Sequence, residues 1–251
     1  MSRTIHNAGI ALLQRAEQTQ PLQITEEHIS SLPEIVQRYL RYTGVVGRET
    51  IRTVHLKQQG FMRLQPEQKW LPVVAEQYFT TNPPAFLWRC KIRPLPLVSI
   101  SATDRFSEGH GNMLVKLWSL ITLGDARGSE TDQGELQRYL AETVWFPTAW
   151  LSDAIKWQVI DAHSVKAIYN RQSVTASIVL HINEQGQLTH VTADRYREEH
   201  GRYRITPWLV RLETEHEVEG MRIPTRFEVS WHLPAGEFSW FRARITEIAY
   251  N

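Results

Sequence analysis

The stretch WLVRLETEHEVEGMRIPTRFEVSW, residues Trp208–Trp231, decides the fold. Apolar and charged residues alternate along it on both sides of the Glu219-Gly220 pair. A period of two predicts β-strands with one buried and one solvated face. A Glu-Gly pair between two such strands is typical of a two-residue turn, which needs a residue that tolerates positive φ. The stretch therefore predicts an antiparallel hairpin.

This hairpin has one register that suits both of its faces. With a two-residue loop, Val218 faces Met221 and Trp208 faces Trp231 on the apolar side. Three opposite-charge pairs then form on the other side, each contributing a few tenths of a kcal/mol: Glu217–Arg222, Glu213–Arg226 and Arg211–Glu228. The stripe of glutamates on this strand is accordingly interpreted as a solvated sheet face rather than a cation site.

The same alternation extends outward over most of the chain after Ile51. It predicts antiparallel strands separated by turn residues, such as Asn82-Pro83-Pro84 and the run from Glu108 to Asn112. The predicted strand regions are residues 54–56, 62–64, 73–79, 85–92, 97–106, 113–120, 174–182 and 191–193.

Helical spacing occurs in the first 44 residues and again after Asp132. Residues 1–20 predict a helical arm that Pro21 stops, and Pro33 to Gly44 predicts a second helix. A third helix is predicted from Asp132, taken as its N-cap with Glu135 at the capping-box position, to the Trp-Phe-Pro run that ends it. We expect two units, the arm at residues 1–20 and one curved-sheet domain at residues 21–251.

The predicted fold class is α+β. Consecutive antiparallel strands with one apolar face need a cover on that face. We expect a strongly curved antiparallel sheet, a half-open barrel, with the N-terminal helices and the one inserted helix covering its concave face.

Composition excludes several classes of protein. Lys and Arg number 28 against 27 Asp and Glu, so the basic excess typical of nucleic-acid binding is missing. One cysteine excludes an internal disulfide framework. No run approaches 18 apolar residues, so we expect no integral membrane segment. The N-terminus lacks a cleavage-like ending, and we expect a cytoplasmic protein.

The nine tryptophans are the unusual feature of the composition. Several fall around the inserted helix, where a concave sheet with a helical lid would shield an apolar ligand. We expect a non-catalytic protein that binds an apolar small molecule or lipid, such as an acyl chain, beneath residues 132–151. The candidate ligand-binding residues are Met113, Trp118, Tyr139, Leu140, Trp145, Phe146 and Trp150.

The search for catalytic chemistry gives weaker signals. No His pair has metal-ligand spacing, no Gly-x-Ser-x-Gly motif is present, and we expect neither metal nor cofactor. Cys90 lies between Arg89 and Lys91, but a partly buried structural thiol is favoured over a reactive one.

Two alternatives to a ligand-binding protein remain open. One is a hydrolase-type enzyme that uses carboxylates near the inserted helix for acid–base work, with a buried arginine–glutamate pair lining its cavity. The other is a scaffold whose aromatic residues fill the core and leave no ligand cavity. The candidate residues of the enzyme are Asp125, Glu135, Arg138 and Glu142.

Six segments resemble an uncharacterised bacterial family of unknown function: LPEIVQRYLRYTGVVG (32–47), EQYFTTNPPAFLWRCKI (76–92), GHGNMLVKLWSL (109–120), DARGSETDQGELQRYLAETVWFPTAWLS (125–152), RIPTRFEVSWHLPAGEF (222–238) and ITEIAYN (245–251). The resemblance covers about residues 25–251 and implies no catalytic residue. The order of elements also resembles the half-open barrels of bacterial lipoprotein carriers of the LolA and LppX type. This second likeness is one of architecture, and fold alone does not imply function. We expect the chain to differ from those carriers, because the first residues of the sequence predict neither a secretory signal nor a lipidation cysteine.

Overall fold

The computed structural model describes residues 3–16, 20–95, 97–171, 174–199 and 201–251. Of the arm predicted at residues 1–20, positions 1, 2 and 17–19 lie outside the described residues. The helices are α1 (Arg3–Ala16), α2 (Glu26–Ser30), α3 (Glu34–Thr43) and α4 (Ser129–Glu142), followed by 3-10 turns at Thr143–Trp145 and Pro147–Leu151.

Within the described ranges, thirteen strands form one antiparallel sheet. In chain order they are β1 (Thr53–Met62), β2 (Leu71–Thr81), β3 (Pro84–Leu95), β4 (Val98–Ser107), β5 (His110–Leu117), β6 (Ile121–Ala126), β7 (Ile155–Val159), β8 (Ser164–Arg171), β9 (Val174–Ile182), β10 (Leu188–Glu199), β11 (Arg202–Val218), β12 (Met221–Leu233) and β13 (Gly236–Tyr250).

The sheet consists of two meanders joined in the middle. Its spatial order is β6-β5-β4-β3-β2-β1-β13-β12-β11-β10-β9-β8-β7, so each strand pairs with its sequence neighbours except at the β1–β13 seam. β6 and β7 are the two open edges. This arrangement confirms the predicted curved antiparallel sheet with one inserted helix.

The predicted β11–β12 hairpin is confirmed in every pair. Val218 lies opposite Met221, Trp208 lies opposite Trp231, and the three charge pairs have the expected partners. Glu219 has a φ of 47° and Gly220 a φ of 73°, the left-handed backbone that a two-residue turn of this kind requires. Alternation along a strand therefore placed the side chains of this hairpin correctly.

The inserted helix crosses the concave side of the sheet. It contacts β4 and β5 on one limb and β9 and β10 on the other. Since the connection leaves one edge strand and returns to the other, it spans the opening between the two limbs. Its buried residues include Leu136, Tyr139 and Leu140.

The first turn of α4 differs from the prediction. The helix begins at Ser129, and its N-cap Gly128 lies four residues before the predicted N-cap at Asp132. Gly128 has a φ of 112°, which favours glycine and lets the chain turn into the helix. The carboxylate of Asp132 instead accepts a hydrogen bond from the backbone N–H of Gly111 at 2.6 Å, which ties α4 to β5.

The N-terminal helices lie in different places. Tyr39 on α3 stacks on Trp150 at a centroid distance of 4.2 Å, which puts α3 on the concave side as predicted. Gly9 on α1 lies against the ring of Tyr78. Tyr78 alternates on β2 with Phe79, whose ring contacts Tyr139, so α1 covers the opposite, convex face.

Gly60 provides a test of the β1–β13 seam. A Cβ atom at this position would lie 2.2 Å from the carbonyl oxygen of Arg242 and 2.7 Å from the Cα of Ala243, both backbone atoms of β13. We expect Gly60→Ala to lower the free energy of unfolding by about 1–3 kcal/mol. Thermal and urea unfolding measure the change. Gly124→Ala on edge strand β6, where nothing lies within 4 Å of the added atom, is the control. An unchanged unfolding midpoint for Gly60→Ala would contradict the tight seam.

Candidate functional site

Five of the seven predicted ligand-binding residues pack together between the sheet and the connection that follows β6. Phe79 on β2 lies at their centre, with its ring centroid 4.9 Å from that of Phe146 and 6.3 Å from that of Trp145. Trp145 also contacts Phe227 on β12 at 5.3 Å. The five residues are buried: Tyr139, Leu140, Trp145, Phe146 and Trp150.

The other two predicted residues are exposed near the β6 edge of the sheet. Met113 on β5 pairs with Asp104 on β4, so its side chain lies on the concave face, at the opening. Trp118 lies in the β5–β6 turn, where its indole N–H donates to the carbonyl oxygen of Leu97 at 2.9 Å. The structure therefore separates Trp118 from the aromatic cluster under the connection.

A buried ionic cluster lies under α4. Arg138 forms ion pairs with Asp104 on β4 and with Glu142 one turn later, the second at 2.9 Å. The other oxygen of Glu142 accepts a hydrogen bond from the amide of Gln77 at 2.7 Å. Glu135, one turn before Arg138, is 3 % exposed. The helix therefore presents a charged face to the sheet.

Burial and like charge act together on Glu135. Removal from water raises the pKa of this carboxyl well above its ordinary value, and the negative charge of Asp104 raises it further. One oxygen atom of each of these two carboxyl groups has no hydrogen-bond partner among the described residues. A proton held on Glu135 would serve both oxygens, because a protonated carboxyl donates one hydrogen bond.

Aromatic rings enclose the two arginines of the cluster. The guanidinium of Arg138 lies 4.8 Å from the ring of Trp88. Arg195 on β10 lies 4.7 Å from Trp208 and donates to the carbonyl oxygen of Gly134 on α4 at 2.7 Å. Such cation–π contacts contribute up to about 2 kcal/mol where water is excluded. The predicted Trp208–Trp231 pair thus lies beside an arginine that sequence reasoning missed.

Three of the four residues of the enzyme hypothesis lie together in the structure. Glu135, Arg138 and Glu142 converge under α4, and Arg138 pairs with Glu142 as the sharper form of that hypothesis requires. Asp125 lies on edge strand β6, where it pairs with Arg127 at 3.0 Å and accepts from Asn112. The structure therefore does not join Asp125 to the cluster.

The sequence contains an indication of three further members of the cluster, which is a polar residue on the apolar face of a strand. Asp104, Gln77 and Arg195 each occupy an apolar-face position of an alternating strand. Asp104, for example, lies between buried Ala102 and Phe106. A polar residue on a buried face needs a partner, which points to a polar group on whatever covers that face.

Cys90 is a buried structural thiol, as expected. Burial raises the pKa of this thiol to about 12, outweighing the positive charges of Arg138 and Arg89. A thiol with a raised pKa is a poor nucleophile at neutral pH.

Two open grooves lie on the convex face rather than under α4. One, of about 400 Å³, is lined by His163, His181 and His190 among others. The second, of about 310 Å³, lies along β9 to β12. In the described part of the chain no three His, Cys, Asp or Glu side chains are grouped as a metal site. None of the described helices has the length and apolar character needed to cross a bilayer.

Comparison with family models identifies the chain. The model of a family of unknown function, DUF6920, matches residues 30–250. The chain belongs to this family. The predicted resemblance to a family of unknown function is therefore confirmed, and DUF6920 membership assigns no activity. No curated protein matches the sequence.

Two solved structures are similar to this DUF6920 protein. A LolA superfamily protein of Nitrosomonas europaea is 12 % identical over 86 % of this chain and 92 % of its own, with a TM-score of 0.43. A putative outer membrane lipoprotein-sorting protein domain of Vibrio parahaemolyticus is 9 % identical over 87 % of this chain and 91 % of its own, with a TM-score of 0.48.

Glu135→Gln tests the protonation of the cluster. In the folded protein the raised pKa of Glu135 favours the protonated carboxyl, whereas the unfolded chain releases this proton above the ordinary pKa of 4.5. The free energy of unfolding of the native protein therefore falls as the pH rises. The amide keeps the shape and a donor N–H but does not ionise. We expect the variant to melt at least roughly 2 °C above the native protein at pH 8, with a smaller difference near pH 4.5. Thermal unfolding at both pH values measures this.

Glu184→Gln, an exposed carboxyl in the β9–β10 turn, is the matched control and is expected to leave both melting temperatures unchanged. Equal shifts for Glu135→Gln at the two pH values would show that Glu135 is not protonated in the folded protein.

Proposed function

We propose that the protein is a non-catalytic carrier that binds an apolar, acyl-chain ligand on the concave side of its sheet, beneath residues 132–151. One observation carries this proposal. An aromatic concave face is closed by a single connection from edge to edge, and the helical part of that connection combines buried Leu136, Tyr139 and Leu140 with a buried cluster of polar and ionic contacts. Displacement of α4 would open the aromatic surface to a ligand.

The polar contacts under α4 support a cover that can be displaced. Buried ion pairs contribute little net stability, because desolvation of the charges offsets their attraction. Glu135 and Gln137 are both buried on α4, and Gln137 donates to backbone carbonyls of β9 and β10. When α4 moves away, water can take over these hydrogen bonds. A helix with an apolar inner face would lose far more on opening.

Unsatisfied polar atoms inside the closed protein also support this proposal. The indole nitrogens of Trp145 and Trp208 and the hydroxyl of Tyr39 are buried, without a hydrogen-bond partner in the described part of the chain. Buried polar groups of native proteins are nearly all paired, and each unpaired one costs free energy. Rearrangement that brings water or a polar ligand atom to these groups would give them partners.

The open side near β5 provides a route for the ligand. Met113 lies on the concave face near this edge, directly opposite Asp104 of the cluster. Its side chain is flexible and apolar, which suits contact with acyl chains of varied shape. We place the entrance between β5 and the first turns of α4.

A reversible lock tests this proposal. A Cβ atom at Gly111 would lie 2.9 Å from the carbonyl oxygen of Thr131 and 3.1 Å from the Cβ of Glu135. α4 therefore has to shift by a few tenths of an ångström away from β5, which brings the Cβ pair towards the disulfide optimum of about 3.8 Å. Gly111→Cys combined with Glu135→Cys should therefore join α4 to β5 on oxidation. The reduced form of the same variant is the control, and buried Cys90 should not react.

We expect native mass spectrometry to show palmitate bound to the native protein and to the reduced variant, but at least about tenfold less on the oxidised variant. Brominated palmitate should quench the tryptophan emission of the native protein and of the reduced variant, and that of the oxidised variant much less. Absence of palmitate from the native protein would contradict lipid binding and favour the scaffold alternative. Equal uptake by both forms of the variant would place the ligand elsewhere.

A further inference from the structure

Exposed apolar side chains collect at one end of the sheet. In an antiparallel meander alternate turns lie at the same end. We call the end formed by the turns after β1, β3, β5, β10 and β12 the rim. Ten large apolar residues at or near the rim are exposed: Phe61, Leu64, Leu95, Leu97, Trp118, Leu120, Ile121, Leu123, Tyr203 and Ile205.

The β3–β4 and β5–β6 turns form the most apolar part of the rim. Leu97 is 89 % exposed and Leu120 is 81 % exposed. Trp118 binds the two turns together, because its backbone N–H donates to the carbonyl of Ser99 at 2.7 Å and its indole N–H to that of Leu97. The two turns therefore present one contiguous surface. Contiguous apolar surface of this kind marks an interaction site.

The charges around these two turns have one sign. Residues 91–103 and 109–124 contain Lys91, Arg93 and Lys116 and no Asp or Glu. Elsewhere on the rim Glu199 pairs with Arg197 and Glu237 with Arg211, while Glu67 and Glu198 add carboxylates near the turns after β1 and β10. The positive charge is therefore concentrated next to the β3–β4 and β5–β6 turns.

This combination fits an anionic bilayer better than it fits a protein. Tryptophan is enriched where membrane meets water, and leucine side chains gain free energy on leaving water. Each Lys or Arg near an anionic membrane surface contributes about 1 kcal/mol of attraction. A second copy of this chain would bring like charges together at the same surface, which disfavours self-association through it.

We propose that the rim docks onto anionic lipid bilayers, with Leu97, Trp118 and Leu120 inserted at the headgroup level and the surrounding cations bound to lipid phosphates. This goes beyond the carrier proposal, because docking needs no ligand inside the sheet and no movement of α4.

Vesicle flotation tests docking. We expect the native protein to float with phosphatidylcholine vesicles that contain phosphatidylglycerol, and much less with phosphatidylcholine alone. Leu97→Asp combined with Leu120→Asp should weaken binding by about tenfold or more, since each change removes an apolar contact and adds repulsion. Val159→Asp combined with Ile160→Asp is the matched control. These residues are 54 % and 53 % exposed in and just after β7, toward the opposite end of the sheet, and should not matter.

Two further measurements separate the contributions. Arg93→Gln combined with Lys116→Gln should abolish the preference for phosphatidylglycerol. Brominated lipids should quench tryptophan emission in the native protein and less in Trp118→Phe. Equal flotation of the Leu97→Asp/Leu120→Asp variant and the native protein would overturn the proposal. The proposal would also be overturned if the native protein floated with neither kind of vesicle. A native dimer that the Leu97→Asp/Leu120→Asp variant dissociates would overturn it as well. The oxidised Gly111→Cys/Glu135→Cys protein should float normally, which distinguishes docking from ligand uptake.

Discussion

The connection between β6 and β7 has to run from one edge of the open sheet to the other, and it does so across the concave side. This constraint explains why residues near each other in sequence cover strands from both limbs. It brings the aromatic residues of the 3-10 turns onto Phe79 and Phe227 near the middle of the sheet. It also brings the charged face of α4 between β4 and β10.

The two parts of this connection bind the sheet through different physics. The 3-10 turns bury Trp145, Phe146 and Trp150, and large aromatic side chains dominate the energetics of a core. α4 buries Leu136, Tyr139 and Leu140 but also carries Arg138 and its carboxylate partners, whose Coulomb attraction is offset by desolvation. The aromatic part is therefore the anchor and the helix the weaker contact. A protein that must open and close without unfolding needs such a division.

Sequence alone predicted the local patterns well. Alternation gave the β11–β12 register because a shift of one residue would turn every side chain to the wrong face. The curved sheet and the inserted helix followed from the same pattern. The start of α4 was missed because Asp132 is a good N-cap residue that here binds Gly111 on another element. The sequence predicted only the members of the ionic cluster that lie on α4. Asp104 and Arg195 are far from α4 in the sequence, and only the fold brings them to it. Contact of a ligand with the five buried candidate residues and with exposed Met113 depends on motion, which periodicity does not encode.

The β1–β13 seam also imposes an order of events on folding. β13 is the middle strand of the thirteen, yet it is the last that a ribosome synthesises. Its partner β1 precedes it by almost the whole chain, and pairing over such a separation pays a large loop-closure entropy. β1 to β6 must therefore wait with an unpaired edge at β1 until β13 emerges. Until then the first meander exposes an unpaired strand edge, the kind of surface through which chains aggregate.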